Sequence, residues 1–282
     1  MNNYKENEKN KEIEYQLFVT HYTPNLERIS NLKRRFQDIE FYNYEIITRY
    51  DRESIEHSTI LAATSAREER IKRLQAISQA LNLNLLNAFR NNHAINITGP
   101  ELNREFRRMA FTQALFNQHE VAENSIPLNA LSLAMKHLEC WRVIKSRRVQ
   151  HTFICEDDII IDDHFVNKLK RLLEVVERLQ FDYVDLGGGA NLTPKHLYES
   201  TYSDQLLGPL YRIIPPSTRT TCMYYIAKTF VDEIFYNDYL PVLPIDYELT
   251  YLMTIHNSKC GWLESPMIIH GSEHGYYSST LR

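Results

Sequence analysis

The sequence predicts an α/β fold: a mostly parallel sheet flanked by helices and interrupted by one helical insertion. Three observations carry that expectation. "YQLFVT" (15–20) and "FYNYEIIT" (41–48) are β-rich runs joined by a segment in which Leu26, Ile29, Leu32 and Phe36 recur at helical spacing, the βαβ opening of a parallel sheet. From Pro127 onward the same alternation of extended and amphipathic runs returns. Between the two, residues 53 to about 124 show helical periodicity only.

Length and composition bound what such a chain does. At 282 residues it is within reach of a single core. We therefore expect one domain over 15–282, with the insertion at about 53–124, behind a disordered polar tail at 1–14. A net charge of −4 gives no global reason to bind nucleic acid, so specificity must come from local sites. Cys140, Cys155, Cys222 and Cys260 are widely separated and form no C-x-x-C pair, which suggests reduced, buried thiols. No stretch approaches the roughly 20 apolar residues of a membrane span, and "MNNYKENEKNKEIEY" is polar where a secretory leader is apolar. A cytoplasmic protein is expected, and the basic runs "NLKRRF" and "KSRRVQH" offer either peripheral membrane contact or, more ordinarily, solvated faces.

In the insertion, Ile71, Leu74, Ile77, Leu81 and Leu85 share one helical face, Gly99 and Pro100 mark a join, and "ELNREFRRMAFTQALFNQHEV" reads as a second amphipathic helix. Packing on the sheet or on a second copy of the chain is the plain outcome; an acceptor-facing or membrane-facing lid is the functional one.

The later elements follow in order. "LNALSLAMKHLECWRVI" is an apolar helix, "FICEDDIIID" (153–162) a strand that runs into three acids, and Phe165, Leu169, Leu172, Val176 and Leu179 outline the next helix. "FDYVDLGGG" is a strand closed by glycines, where Gly187 and Gly188 let the backbone turn sharply or approach a ligand; it lacks the spacing of a dinucleotide fingerprint and the lysine of a P-loop. "TTCMYYIA" reads as a strand, "KTFVDEIFYND" as a short helix, and Asp246 and Glu248 fall at a loop-to-helix boundary in "LPIDYELTYLM". His270 follows the apolar run "PMII".

The acids carry the chemistry. In open α/β sheets ligands bind beyond the carboxyl ends of the strands, where Glu156, Asp157 and Asp158 emerge. Adjacent carboxylates in a partly dry crevice raise one another's pKa unless a cation compensates, and Mg²⁺ or Mn²⁺ takes carboxylate oxygens readily. A nitrogen from His270 leans the choice toward Mn²⁺. Such a metal commonly takes its other ligands from phosphates, which makes a nucleoside diphosphate the natural guest. The plainer reading has Asp157 and Asp158 capping the next turn and Glu156 solvated.

At these residues the sequence resembles the LPS-type glycosyltransferases of family 25, which include lipooligosaccharide β-galactosyltransferases and collagen galactosyltransferases. The resemblance is a succession of segments: a helix carrying Arg28 and "YEIITRYD" ending at Asp51; "LSLAMKHLECW", with His137 and Trp141 retained; "FICEDD"; "FDYVDLGGG"; "TTCMYYIAK"; and "LPIDYEL". Departures occur at Ser132, where glycine is usual, at Lys136, where serine is usual, in the opening "VTHYTPNLER", and across 53–124, which has no counterpart.

The resemblance implies a GT-A fold, a Rossmann-like nucleotide-sugar domain, with a divalent metal and inverting displacement. Asp158, with Glu156 and His270, would hold Mn²⁺ or Mg²⁺ at the leaving nucleoside diphosphate. Asp246, or failing it Glu248, would take the acceptor's proton, though Asp246 would equally serve as a helix N-cap. Arg28, Asp51, His137, Asp157, Gly187, Gly188 and Arg219 would face the donor, against plainer roles as a surface arginine, a turn aspartate, a core histidine and tight-turn glycines. Transfer of galactose from UDP-galactose to a surface glycan is the expected function, with a possible homo-oligomer through the insertion. The competing readings are a metal-dependent nucleotide phosphohydrolase or nucleotidyltransferase, and a non-catalytic glycan-binding subunit of the same fold.

Overall fold

The structure is a computed structural model that describes residues 13–70, 72, 126–189, 192–194, 199–214, 216–236 and 238–278. Most of the N-terminal tail, the helical faces read at 71–124 and the join at Gly99 and Pro100 lie outside the described residues, as does the expected oligomer contact through them.

Ten strands and six helices are described. In chain order they are β1 (Tyr15–Thr20), α1 (Leu26–Asp38), β2 (Tyr44–Ile47), α2 (57–70), α3 (Leu128–Ser146), β3 (His151–Glu156), β4 (Ile159–Ile161), α4 (Phe165–Leu179), β5 (Tyr183–Asp185), β6 (Ser200–Asp204), β7 (Gly208–Ile213), β8 (Met223–Ala227), α5 (Lys228–Ile234), α6 (Ile245–Ile255), β9 (Cys260–Leu263) and β10 (Ile268–His270). The main sheet has the order β2-β1-β3-β8-β5-β9-β7-β6. β1 is parallel to β2 and β3, and β5 to β9; β8 runs against β3 and β5, and β7 against β9 and β6. Six of the eight strands therefore share one direction. This is the expected α/β sheet with most strands in one direction, and β8 reversed at its centre.

Both faces of the sheet are covered, which explains why its strands read as continuous apolar runs. Successive side chains point to opposite faces. Leu17, Val19, Phe153, Cys155, Met223 and Tyr225 pack with α1 and α4, whereas Phe18, Ile154, Tyr224 and Ile226 pack with α3, α5 and α6. On α1 the buried stripe is Ile29, Leu32 and Phe36; Leu26 is exposed despite fitting the period. The described part of the insertion packs inward, with Ala63 and Arg67 buried and an Arg67 guanidinium N–H donating to the Val242 carbonyl at 2.6 Å. All four cysteines are buried and free.

β4 and β10 form a separate two-stranded antiparallel pair beside the end of β3. That small sheet brings the C-terminal part of the chain to the acids.

Candidate active site

β3 ends at Glu156 and β4 begins at Ile159, so the acids occupy the bend between two strands. Alternation then divides them. Glu156 and Asp158 turn toward His270, and one ligand atom from each lies within 4.8 Å of the others. The β10–β4 register sets this geometry by placing His270 opposite Ile159. The Gly271 N–H donates to the Asp158 carbonyl at 2.8 Å, and a Cβ at Gly271 would lie 2.5 Å from that oxygen, so the approach requires glycine.

Without a cation, protons compensate the charge. Withdrawal from water, with Asp158, Asp246 and Asp157 nearby, pushes the Glu156 carboxyl up to about 8, with His270 opposing the rise. For His270, burial lowers the pKa, but the bond to Asp158 and the charges of Glu156, Asp158 and Glu273 outweigh it and lift the imidazole to about 9. The Asp158 carboxyl ends below its ordinary value: burial pushes it up, and His270, Ser272 and Arg28 more than reverse that. At neutral pH the knot thus holds a proton on Glu156 and an imidazolium 3.5 Å from Asp158 Oδ2. A divalent ion fits the same place. Asp158 Oδ1 is buried and has no hydrogen-bond partner among the described residues, and two carboxylates with an imidazole form a donor set suited to Mn²⁺ or Mg²⁺.

Asp246 joins this knot through one hydroxyl. Thr221 Oγ1 lies 2.8 Å from Asp246 Oδ1 and 3.3 Å from Glu156 Oε1. β8 is antiparallel to β3, so it presents its N-terminal end, with Thr221 just before it, to the carboxyl end of β3. Pro244 is the N-cap residue of α6, which leaves Asp246 in the first turn and overturns its reading as the cap.

Asp157 turns the other way. It accepts from His21 Nδ1 at 2.6 Å, the Tyr22 N–H at 3.3 Å and Arg28 Nη1 at 3.1 Å. Neither Asp157 nor Asp158 caps a turn, since both are engaged across the crevice. Arg28 also approaches Asp158 Oδ2 at 3.6 Å, donates to the Ser278 carbonyl and lies over the Tyr277 ring. These groups form one wall of a crevice also lined by Thr20, Arg52, Asn129, Ser132 and Lys136, at the carboxyl ends of β1 and β3.

Residues 60–197 match the family model of glycosyltransferase family 25 (LPS biosynthesis protein). That match shows the resemblance. It also includes residues 60–124, which the sequence reading left without a counterpart, while β1, β8 and α6 lie outside it. No curated protein matches the chain. Among solved structures, the crystal structure of S. aureus TarS 1–349 is similar at 13% identity and a TM-score of 0.41; the alignment covers 93% of this chain. The chain spans 62% of that structure's length.

Several positions expected at the donor lie elsewhere. His137 is fully buried in the core on α3, its Nδ1 2.9 Å from the Tyr224 hydroxyl, and burial drives its pKa down to about 3. Burial keeps the ring neutral, and the Tyr224 oxygen also accepts from Trp141 Nε1 at 3.3 Å. Arg219 is buried against Asp185: its Nη2 and Nε meet Oδ1 at 2.8 and 3.1 Å, and its own N–H meets Oδ2 at 2.9 Å. The same carboxylate accepts the Gly188 N–H at 3.0 Å, so Arg219 and Asp185 fasten the glycine turn. Gly188 has φ +70°, and a Cβ at Gly187 would lie 2.1 Å from Cys222 Sγ; both glycines answer to backbone shape and packing.

Glu248 also falls outside the site. It is fully buried, and its Oε2 accepts the Val242 and Leu243 N–H groups at 3.1 and 2.9 Å. Its Oε1 is bonded to Arg70 at 2.5 Å and to the Tyr239 hydroxyl. The second choice of base is therefore a structural anchor. Asp51 accepts from Lys136 Nζ at 2.7 Å and the Thr23 N–H at 3.3 Å. Burial favours its neutral form, but Lys136 and Thr23 prevail and hold the carboxyl below its usual value.

Half of the basic residues in these runs are engaged within the fold, while Lys33, Arg34 and Arg148 are exposed. Arg35 meets Asp163 and the Ile161 carbonyl, Arg147 meets Glu45 at 2.7 Å, and Lys145 donates to the Phe235 carbonyl at 2.6 Å. Among the described residues no helix is long and apolar enough to cross a membrane. Sequence reasoning missed His21 and Thr221 altogether. It met Ser132 and Lys136 only as departures from the family pattern.

Proposed function

We propose that the chain is a metal-dependent inverting glycosyltransferase that moves a hexose, galactose from UDP-galactose, onto a surface glycan such as lipooligosaccharide or capsule. The observation that carries this reading is the convergence of Glu156, Asp158 and His270 at one point, with Asp246 one hydroxyl away. The family 25 match over 60–197 supports glycosyl transfer as the reaction class.

A divalent ion held by Glu156, Asp158 and His270 would offset the negative charge gathering on a departing nucleoside diphosphate. The chain's own groups supply the remainder. The acceptor hydroxyl attacks the anomeric carbon as the bond to the diphosphate oxygen breaks, and its proton passes to the Asp246 carboxylate. Thr221 donates to Asp246 Oδ1 and so orients that carboxylate beside the knot. Arg28, between Asp157 and Asp158, keeps positive charge on the crevice wall.

The test incubates the protein with individual nucleotide sugars and a panel of glycan acceptors, with Mn²⁺ or with chelator. Release of UDP that requires both metal and acceptor is expected, with UDP-galactose the best donor. Failure of every donor to bind or turn over, with or without metal, overturns the reading; phosphate release without sugar transfer would place the chain among nucleotide hydrolases.

A further inference from the structure

One face of α3 is polar where a helix against a sheet is ordinarily apolar. Ser132, Lys136, Glu139 and Arg142 recur at intervals of three or four residues and so share a stripe. Every member reaches the segment that follows β2. Ser132 Oγ donates to the Tyr50 carbonyl at 2.6 Å; Lys136 Nζ donates to the Thr48 and Arg49 carbonyls at 3.1 Å and to Asp51 at 2.7 Å. Glu139 lies 3.5 Å from Arg49, and Arg142 donates to the Tyr50 hydroxyl at 3.4 Å.

This segment needs holding. Tyr50 has φ +71°, a left-handed conformation that side-chain-bearing residues seldom adopt and that persists where the surroundings enforce it. Lys136 is only 3% exposed, and its ammonium offers three donors to those three acceptors. Immediately after the held segment, Arg52 lines the crevice and lies over the ring of Tyr22, which lines it too. Ser132 and Lys136 line it too.

We propose that Lys136 and Ser132 are positioning residues that preset the 48–52 loop, and with it Arg52, for nucleotide binding in the crevice. The inference rests on the function proposed above. A loop fixed before the ligand arrives spares the binding step its ordering cost, and releasing it lowers affinity by the fraction of chains no longer competent.

The test titrates UDP with Mg²⁺ into wild-type, K136M, K136R and S132A proteins by calorimetry, and follows amide hydrogen exchange over residues 48–52 and β3. K136M is expected to weaken UDP by about tenfold or more and to speed exchange at 48–52 but not in β3, with S132A intermediate. K136R, which keeps charge and donors, is expected to recover affinity to within about threefold of wild type. In turnover, K136M should raise the donor KM with kcat little changed.

Unchanged UDP affinity in folded K136M overturns the proposal, as does a K136R no better than K136M, or faster exchange spread evenly over the sheet. Absence of UDP binding by the wild-type protein removes the nucleotide from this proposal and from the functional reading together. UDP binding that the Lys136 variants leave intact removes this proposal alone.

Discussion

His270 Nε2 stands 3.5 Å from Asp158 Oδ2, although more than a hundred residues separate the two in the chain. The contact exists because β10 lies antiparallel to β4 with His270 opposite Ile159. In the function proposed above a metal would displace the imidazolium proton from this ion pair, and that exchange is measurable.

In the metal-free protein, His270 at about 9 and Glu156 at about 8 both lie above their unfolded values of 6.5 and 4.5. These two groups bind more protons folded than unfolded from about pH 4.5 to 9; below 6.5 the buried His137, lowered to about 3, opposes them, so the net fall in stability is expected as pH rises from 6.5 to 9. The stabilisation from His270 is complete below 6.5 and gone above about 9. Asp158 works in the opposite sense, but only in acid, below its ordinary value of 3.8. Denaturation of the metal-free protein should show stability declining from pH 6.5 to 9, with the decline reduced in H270Q. Stability rising over that interval would contradict the assignment.

Metal must displace those protons. At pH 7, Mn²⁺ binding is expected to release protons, read as a dependence of the calorimetric heat on the ionisation enthalpy of the buffer. D158N and H270A should each weaken Mn²⁺ by at least about tenfold, since even residues supporting a metal's ligands cost 10–100-fold. Binding of Mn²⁺ with no proton release, or undiminished in D158N, would place the ion elsewhere.

Asp246 and Glu248 lie two residues apart on α6 and should fail differently. D246N is expected to lower turnover by about 10²–10⁴-fold while keeping UDP affinity, as loss of a general base does. E248A strips its partners of a buried carboxylate and leaves the partly buried Arg70 guanidinium unpaired, at a cost of about 3–5 kcal/mol by urea denaturation. Retained turnover in D246N would remove it as the base.

The Asp185–Arg219 pair, 0% and 2% exposed at the side chains, offers a third contrast. R219M leaves Asp185 buried and short of partners, and should cost about 3–5 kcal/mol. Because Arg219 is engaged with Asp185, UDP affinity in the surviving folded fraction is expected to stay within about twofold, a difference under 0.5 kcal/mol. A large loss of UDP affinity with unchanged stability would return Arg219 to the donor.

What could be read from the residues alone was whatever depends on local order in the chain. The βαβ opening, the acid run at the end of β3 and the helix beginning near Asp246 each follow from periodicity or from neighbours a few positions away. Family resemblance added the reaction class, because "FICEDD" and its companion segments lie in order along the chain. Tertiary structure decided which polar side chains face the crevice. Glu248 and Asp246 read alike in sequence, yet helix rotation buries one among the Val242 and Leu243 N–H groups and turns the other to Thr221. Arg219 and His137 were offered to the donor by their position beside strand and motif, but a buried Asp185 and the Tyr224 hydroxyl claim them from other strands. Lys136 read as a departure from the family pattern, and only the left-handed turn at Tyr50 gives its ammonium a task. Partners in a buried polar network are chosen by strand order and register, which bring together residues that no local spacing relates.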